Sequence, residues 1–344
     1  MGSVSARDQA LAELERRRRH RVASPLRFRE FLESKDFCNL ELSPLVAAIA
    51  DASEGIRPTT IDDDVAVRHF GCPLDGLPLG KHRTVDIRAG GRGGKTSRLL
   101  APKAVHAAWT VPLPTLRAGE FGSAVLVAPD LKLARQALSF VHGYVEESPV
   151  LRAARHGPPT KDHVELRRPD GKLVRIEILA ATRGGRAVRA RTLVFAGLDE
   201  ACFFFAEGTG VVNDTEIYDA VLMRVVPGGQ TWIVSTPWID GVGLLEQHIK
   251  VNWGKHERTL CATAPTRALN PTWDPTGEIE ADMRAQDPDK AAREIDAIPM
   301  KGSGVSFISA DALDACVEDY DVAGEVDDVG IADEDDDGGS GAES

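Results

Sequence analysis

The stretch that most limits how this chain can fold lies between residues 84 and 109. An apolar hexapeptide, TVDIRA, runs into GGRGG and then into KTSRLLAPKAVHAAW, whose apolar spacing is helical. A buried strand that ends in a glycine loop and opens a helix needs a sheet beneath the helix and further strands beside it, the start of an α/β layer arrangement. The loop also carries a chemistry. Glycines let consecutive backbone N–H groups converge on one point, and the helix N-terminus adds its partial positive charge, so the segment suits phosphate oxygens. The full phosphate-loop signature is G-x-x-x-x-G-K-[ST]. Residues 89–96 meet it except at the first position, where Ala89 stands for glycine with Gly90 beside it. In this reading Gly90, Gly91, Arg92, Gly93, Gly94, Lys95, Thr96 and Ser97 hold the phosphates of ATP, Lys95 offsets the charge of the outer phosphates, and Thr96 ligates Mg²⁺. Arg92 is placed to act on the transferring phosphate, and Arg88 to reach phosphate oxygens.

The pattern continues on both sides. SAVLVAP reads as a strand followed by the helix DLKLARQALSFVHGYVEES. HVELRR and LVRIEILAA form a hairpin around Pro169-Asp170-Gly171. TLVFAGLDEA is an apolar strand, DTEIYDAVLMRVV a helix, QTWIVSTP a strand and GLLEQHIKVNW a helix; residues 274–298 read as helical. Apolar strands alternating with helices predict a mainly parallel sheet covered on both faces. Upstream, residues 7–22 suggest a helix ending in the basic block RRRRHR, residues 24–58 two short amphipathic helices, and residues 56–83, with their Pro and Gly, a connecting loop region. KGSGVSFISADALDACV reads as a short extended piece and a helix.

Three further positions join the glycine loop. The strand TLVFAGLDEA ends in Asp199-Glu200, and adjacent acids at the end of a buried strand are costly unless they meet a cation or a polar site. Asp199 would hold the Mg²⁺, and Glu200 would orient and activate an attacking water. WIVSTP ends in Ser235, Thr236 and Pro237, small hydroxyls at a strand end that can sense the outermost phosphate and pass on its loss. Arg183, Arg186, Arg189 and Arg191 form a cluster that could supply an arginine finger or touch DNA phosphates.

Charge is unevenly placed. The formal net charge is −12, yet residues 318–344 hold twelve Asp or Glu and no Lys or Arg, so the rest is formally neutral. The acidity belongs to a tail whose composition predicts disorder, and a neutral body can still carry a basic face for nucleic acid. Cys38, Cys72, Cys202, Cys261 and Cys316 form no C-x-x-C pair, which speaks against a zinc site or a disulfide framework and for a reducing cytoplasm. No apolar run approaches the roughly 18 residues of a membrane span, and the N-terminus lacks the apolar core of a secretory signal.

Together GGRGGKTS, APDLKLARQAL, TRGGRAVRARTLVFAGLDEACFF, QTWIVSTPWIDGVGLL and AAREIDAIPMKGSGVSFISADAL resemble, in order and spacing from about residue 25 to 315, the ATPase motor of large terminase subunits, which package the genomes of tailed bacteriophages. The resemblance implies an α/β P-loop NTPase of the additional-strand, catalytic-glutamate type, with a helical or lid region over residues 1–80, the motor over 81–300, a linker and short helix over 301–320 and the acidic tail over 321–344. It implies ATP and Mg²⁺ on Lys95, Thr96 and Asp199, Glu200 as catalytic carboxylate and Ser235, Thr236 and Pro237 as coupling motif. It further implies double-stranded DNA, a portal protein, a small terminase subunit and further copies of the chain in a ring as partners, in the cytoplasm of a bacterial host. Large terminases usually carry a nuclease domain after the motor; here too few residues follow Ala315 for one, so either a separate chain supplies the nuclease, or this copy is truncated, or the protein has another task. The alternatives are another DNA-dependent P-loop ATPase, of helicase or defence type, and a non-hydrolysing scaffold of the same fold.

Overall fold

The computed structural model of the chain describes residues 26–301, apart from 118, 182–187, 190, 205–213 and 258. The basic block before residue 23, Arg183, Arg186, the segment 302–317 and the acidic tail lie outside the described residues.

Seven strands, β1 (Thr84–Ala89), β2 (Gly122–Ala128), β3 (His163–Arg167), β4 (Leu173–Ala180), β5 (Thr192–Asp199), β6 (Val225–Ser235) and β7 (Thr259–Ala264), form one sheet in the order β3-β4-β2-β5-β6-β1-β7. All pairings are parallel except β3 with β4, the predicted hairpin at the edge. The strand β6 lies between β1 and β5, so the glycine loop and the Asp199-Glu200 pair leave strands separated by one additional strand. The expected α/β class with a mainly parallel sheet is what the chain adopts.

Both faces are covered, which explains why β2 is buried at every position. On one face Val85, Ile87, Leu126, Trp232, Val234 and Leu260 pack with α4 (Ala101–Thr110) and α5 (Leu131–Glu147), and with Phe28 and Phe31 of α1 (Phe28–Glu33) and Ile49 of α2 (Pro44–Ser53). On the other, Val125, Val127, Leu198 and Ile233 meet Ile217 and Val221 of α7 (Asp214–Leu222) and Leu245 and Ile249 of α8 (Leu244–Asn252). A short α6 (Pro149–Ala154) follows α5 directly. The second face of β1 is polar. Asp86 accepts from His248 at 2.8 Å and Arg88 pairs with Glu246 at 3.0 Å, so α8 answers each charge on the strand. Among the described residues no helix is long and apolar enough to cross a membrane.

Residues 56–83 are not only a connection. They hold α3 (Asp63–Phe70), which Asp62 caps by accepting from the Val65 N–H and Gly71 closes in the left-handed region. Nor is residue 95 the start of a regular α-helix. Lys95–Leu100 is a π-helical turn, in which the Ala101 N–H reaches the Thr96 carbonyl. Pro102 follows; a proline ring clashes with the carbonyl four residues back in an α-helix, and the wider turn relieves that clash. After β7, a short α9 (Thr266–Leu269) leads to α10 (Glu278–Gln286) and α11 (Pro288–Glu294).

Candidate functional site

The strand ends bring the sequence-predicted positions to one edge. Arg88 on β1 is in register with Ser235 on β6, and Asp199 on β5 with Val234 on β6. The segments that follow these three strands therefore emerge together, at the carboxyl edge where open α/β sheets bind ligands.

The glycine loop is held from outside. The Gly90 N–H donates to the Ala264 carbonyl at 2.9 Å and the Gly91 N–H to the Glu294 carbonyl at 2.6 Å. Thr266 donates its hydroxyl to the Gly91 carbonyl at 2.7 Å, and the Asn270 amide donates to the Arg92 carbonyl at 3.2 Å. This close approach explains Gly90. A Cβ there would sit 2.4 Å from the Thr266 hydroxyl oxygen and 2.7 Å from the Ile295 carbonyl. Gly94, at φ +81°, turns the loop into the π-helical segment. Ala89, which replaces the first glycine of the motif, is the last residue of β1 and fully buried, so its methyl group belongs to the core.

Three strand ends meet at the helix start. The Lys95 ammonium lies 2.7 Å from Glu200 Oε1 and donates to Thr236 Oγ1 at 2.9 Å. The Thr96 hydroxyl donates to Asp199 Oδ2 at 2.8 Å. Glu200 Oε2 accepts from the Thr236 N–H at 3.1 Å. The buried Ser235 hydroxyl accepts from the Cys202 N–H at 3.2 Å and donates to the Thr236 carbonyl at 2.8 Å. Pro237, also buried, ends the segment. Two non-glycine residues of the site, Arg92 at φ +60° and Glu200 at φ +54°, have left-handed backbones. Such conformations persist only where surrounding structure imposes them.

The charges are unbalanced in a way that bears on metal binding. Asp199 is buried, and its Oδ1 has no hydrogen-bond partner. Burial, reinforced by the neighbouring Glu200, pushes its carboxyl up to about 7, while Lys95 and the Thr96 hydroxyl pull it back. A buried, orphaned carboxylate oxygen beside a hydroxyl is a hard-oxygen pair that fits Mg²⁺, which takes one or two protein oxygens and fills its remaining positions with water and phosphate.

The other predicted residues fare differently. Ser97 bonds back to the Gly94 carbonyl at 3.4 Å and its own carbonyl accepts from the Tyr144 hydroxyl. Arg92 is exposed at the crest of the loop. Arg88, expected to reach phosphates, instead engages Glu246 and Thr263 beneath the loop. Arg191 makes a two-pronged contact with Glu177, both at 2.8 Å, and Arg189 is exposed. Thr266, Asn270 and Glu294, which fix the loop, carried no signal in the sequence, because their contacts span 175, 178 and about 200 residues.

No protein-family model and no curated protein matches the chain. Solved structures do. The large terminase of bacteriophage HK97 is 16% identical, with a TM-score of 0.54 over 78% of this chain and 53% of that one. The ATPase domain of the large terminase of Thermus phage P74-26 is 19% identical over 63% of this chain and 88% of that domain, with a TM-score of 0.45. A large terminase from a thermophilic bacteriophage, solved in complex with ADP, is 12% identical over 63% of this chain and 48% of that one, with a TM-score of 0.44. The chain thus spans about half the length of the HK97 protein and shares its fold.

Proposed function

We propose that the chain is a P-loop ATPase of large-terminase type that couples ATP hydrolysis to movement of double-stranded DNA. One observation carries the reading: at the mouth of a glycine loop three strand ends bring Lys95, Glu200 and Thr236 into one hydrogen-bonded cluster and set the Thr96–Asp199 pair beside it. A scaffold that had lost hydrolysis would have no need to keep a lysine, a hydroxyl and two carboxylates in this geometry.

The Gly90 and Gly91 N–H groups are spent on the Ala264 and Glu294 carbonyls, so the amides from Arg92 to Thr96 at the helix start receive the phosphates, and Lys95 leaves Glu200 for them. Bound Mg²⁺ would neutralise phosphate charge and orient the outer phosphoryl group. Thr96 and Asp199 would hold it. Glu200, freed from the ammonium, orients the attacking water and accepts its proton. Thr236 touches both partners of the Lys95–Glu200 pair, so exchange of that pair for phosphate changes the contacts at the end of β6. The coupling of Ser235, Thr236 and Pro237 to DNA would run through the chain leading from β6 into α8. DNA, portal protein, small terminase subunit and a ring of copies belong to the same proposal.

The test is steady-state hydrolysis of MgATP by the purified full chain, alone and with linear double-stranded DNA. The proposal expects turnover that DNA raises and Lys95→Ala abolishes. Turnover indifferent to DNA would leave an ATPase without the motor function.

A further inference from the structure

Arg88, held beneath the phosphate loop rather than on it, borders a separate cleft. This cavity of 450 Å³ lies between the end of β1, the chain leaving β6, and α8, and is lined by Arg88, Asp240, Glu246, Ile249, Lys250 and Trp253. Its size falls within the range of small-molecule sites, roughly 300–1,000 Å³. We propose that this cleft binds a purine nucleoside monophosphate, with the edge of the base on the Arg88–Glu246 pair; the inference goes beyond the ATPase reading and does not depend on what fills the phosphate loop.

The floor of the cleft is an ion pair with two unmet hydrogen-bonding positions. Arg88 Nη1 donates to Glu246 Oε2 at 3.0 Å and Nη2 to Thr263 Oγ1 at 3.4 Å, while Glu246 Oε1 and Arg88 Nε have no partner among the described residues. Only 2% of the Glu246 side chain and 17% of the Arg88 side chain are exposed, so water satisfies little of either. Burial pushes the Glu246 carboxyl up, Arg88 pulls it back and the charge of Asp240 pushes it up further. Unsatisfied buried groups of this kind are costly and call for a partner. The pair is neutral as a whole, so a charged ligand group on the floor would itself be buried without compensation. A neutral group with a donor beside an acceptor answers both positions. The polar edge of a purine is such a group: adenine sets N6–H beside a ring nitrogen, and guanine sets N1–H beside O6.

The walls suit the rest of the molecule. Glu246, Ile249, Lys250 and Trp253 follow the i, i+3, i+4, i+7 spacing that gathers residues on one helix face. The Trp253 indole is fixed by close approach: a Cβ on Gly71, itself at φ +79°, would lie 2.5 Å from its Nε1. A half-buried indole and the Ile249 side chain give a flat, weakly hydrated base an apolar surface. Asp240 and Lys250 are exposed and form the rim. A carboxylate there accepts from ribose hydroxyls, and an ammonium meets a phosphate. Floor and rim together therefore match base, sugar and phosphate, whereas a simple amide would leave the rim unused.

The experiment is titration calorimetry on the full chain in EDTA with AMP, GMP, the two nucleosides, and ribose 5-phosphate, which lacks the base. AMP, GMP or both should bind with a Kd below about 1 mM, and ribose 5-phosphate should bind at least about tenfold more weakly. Excess tripolyphosphate, which offers the phosphate loop its chemistry without a base, should leave the mononucleotide affinity in place. In Glu246→Gln the side-chain oxygen stays on Arg88 and the amide NH₂ faces the base donor, so mononucleotides and nucleosides should both weaken about tenfold or more. Lys250→Ala, on an exposed side chain, should weaken the mononucleotides about threefold and leave the nucleosides unchanged. A wild-type chain that binds neither AMP nor GMP would overturn the site, as would equal affinity for ribose 5-phosphate or displacement of the mononucleotides by tripolyphosphate. Wild-type affinities in Glu246→Gln would overturn it too. If Glu246→Gln does not fold, Lys250→Ala decides: equal effects on mononucleotides and nucleosides, or none on either, would refute the placement.

Discussion

The buried carboxyl of Asp199 gives a stability test that needs no nucleotide. One of its oxygens is bonded by Thr96 and the other has no partner. Burial raises the carboxyl from 3.8 to about 7, which weighs about 4 kcal/mol against the folded, ionised form. The folded-state value is the higher one, so the folded protein holds the proton more tightly. The penalty is absent below the unfolded value, grows as pH rises towards 7 and is complete above it. Asp199→Asn removes the charge. Relaxation and entry of water reduce such a penalty, and about 2 kcal/mol of it corresponds to about 4–8 °C for a body of this size. In EDTA without nucleotide, Asp199→Asn should therefore melt about 4–8 °C above wild type at pH 8, and the gap should close as pH falls through 7 towards 4. MgATP should then reverse the order, stabilising wild type and not the variant. A variant that melts at or below wild type at pH 8, or a gap that ignores pH, would refute the reasoning.

Other perturbations follow from the same contacts. Because the Asp199 carboxyl must ionise to hold a cation, the apparent Mg²⁺ affinity in the presence of ATP should weaken about tenfold per pH unit below about 7 and level off above it, as read by titration at fixed ATP. Gly90→Ala places a methyl group against Thr266 and Ile295 and should cost about 1–3 kcal/mol by denaturant unfolding, with loss of ATP binding; an unchanged midpoint would show that the loop is not clamped. Arg191→Ala strips Glu177 of its two-pronged partner and should lower stability by about 1–3 kcal/mol while leaving turnover per folded molecule near wild type, whereas Arg92→Ala should leave stability unchanged and reduce turnover.

Much of this was legible in local sequence. The strands β1, β2 and β5 are apolar runs ended by glycine, proline or acid, and at β1 and β5 the candidate site residues stand at those ends, so strand and site are legible together. The strand β7 was missed: TLCATA is built from small residues and carries little hydrophobic signal, although it pairs along β1 over its whole length. The helix α3 was hidden among Pro58, Gly71 and Pro73, while its Asp62 cap was present in the sequence. The strand β6 begins at Val225, within the segment DTEIYDAVLMRVV that reads as helix, and runs through Pro227, Gly228 and Gly229; its register with β5 shifts there. What sequence could not convey is contact across distance. The clamp of Thr266 on Gly91 and the pairing of Arg88 with Glu246 depend on which strands become neighbours, and no local period encodes that.

The central claim is that Glu200 performs chemistry at this site, and Glu200→Gln tests it most directly. Glu200 holds Lys95 at 2.7 Å, an ion pair that phosphate would displace. The amide removes that competitor and also removes the carboxylate proposed to accept the water's proton. Measured side by side on the full chain, ATP affinity should equal or exceed wild type while steady-state hydrolysis falls by about a hundredfold or more. Turnover near wild type in Glu200→Gln, with ATP bound, would contradict the account.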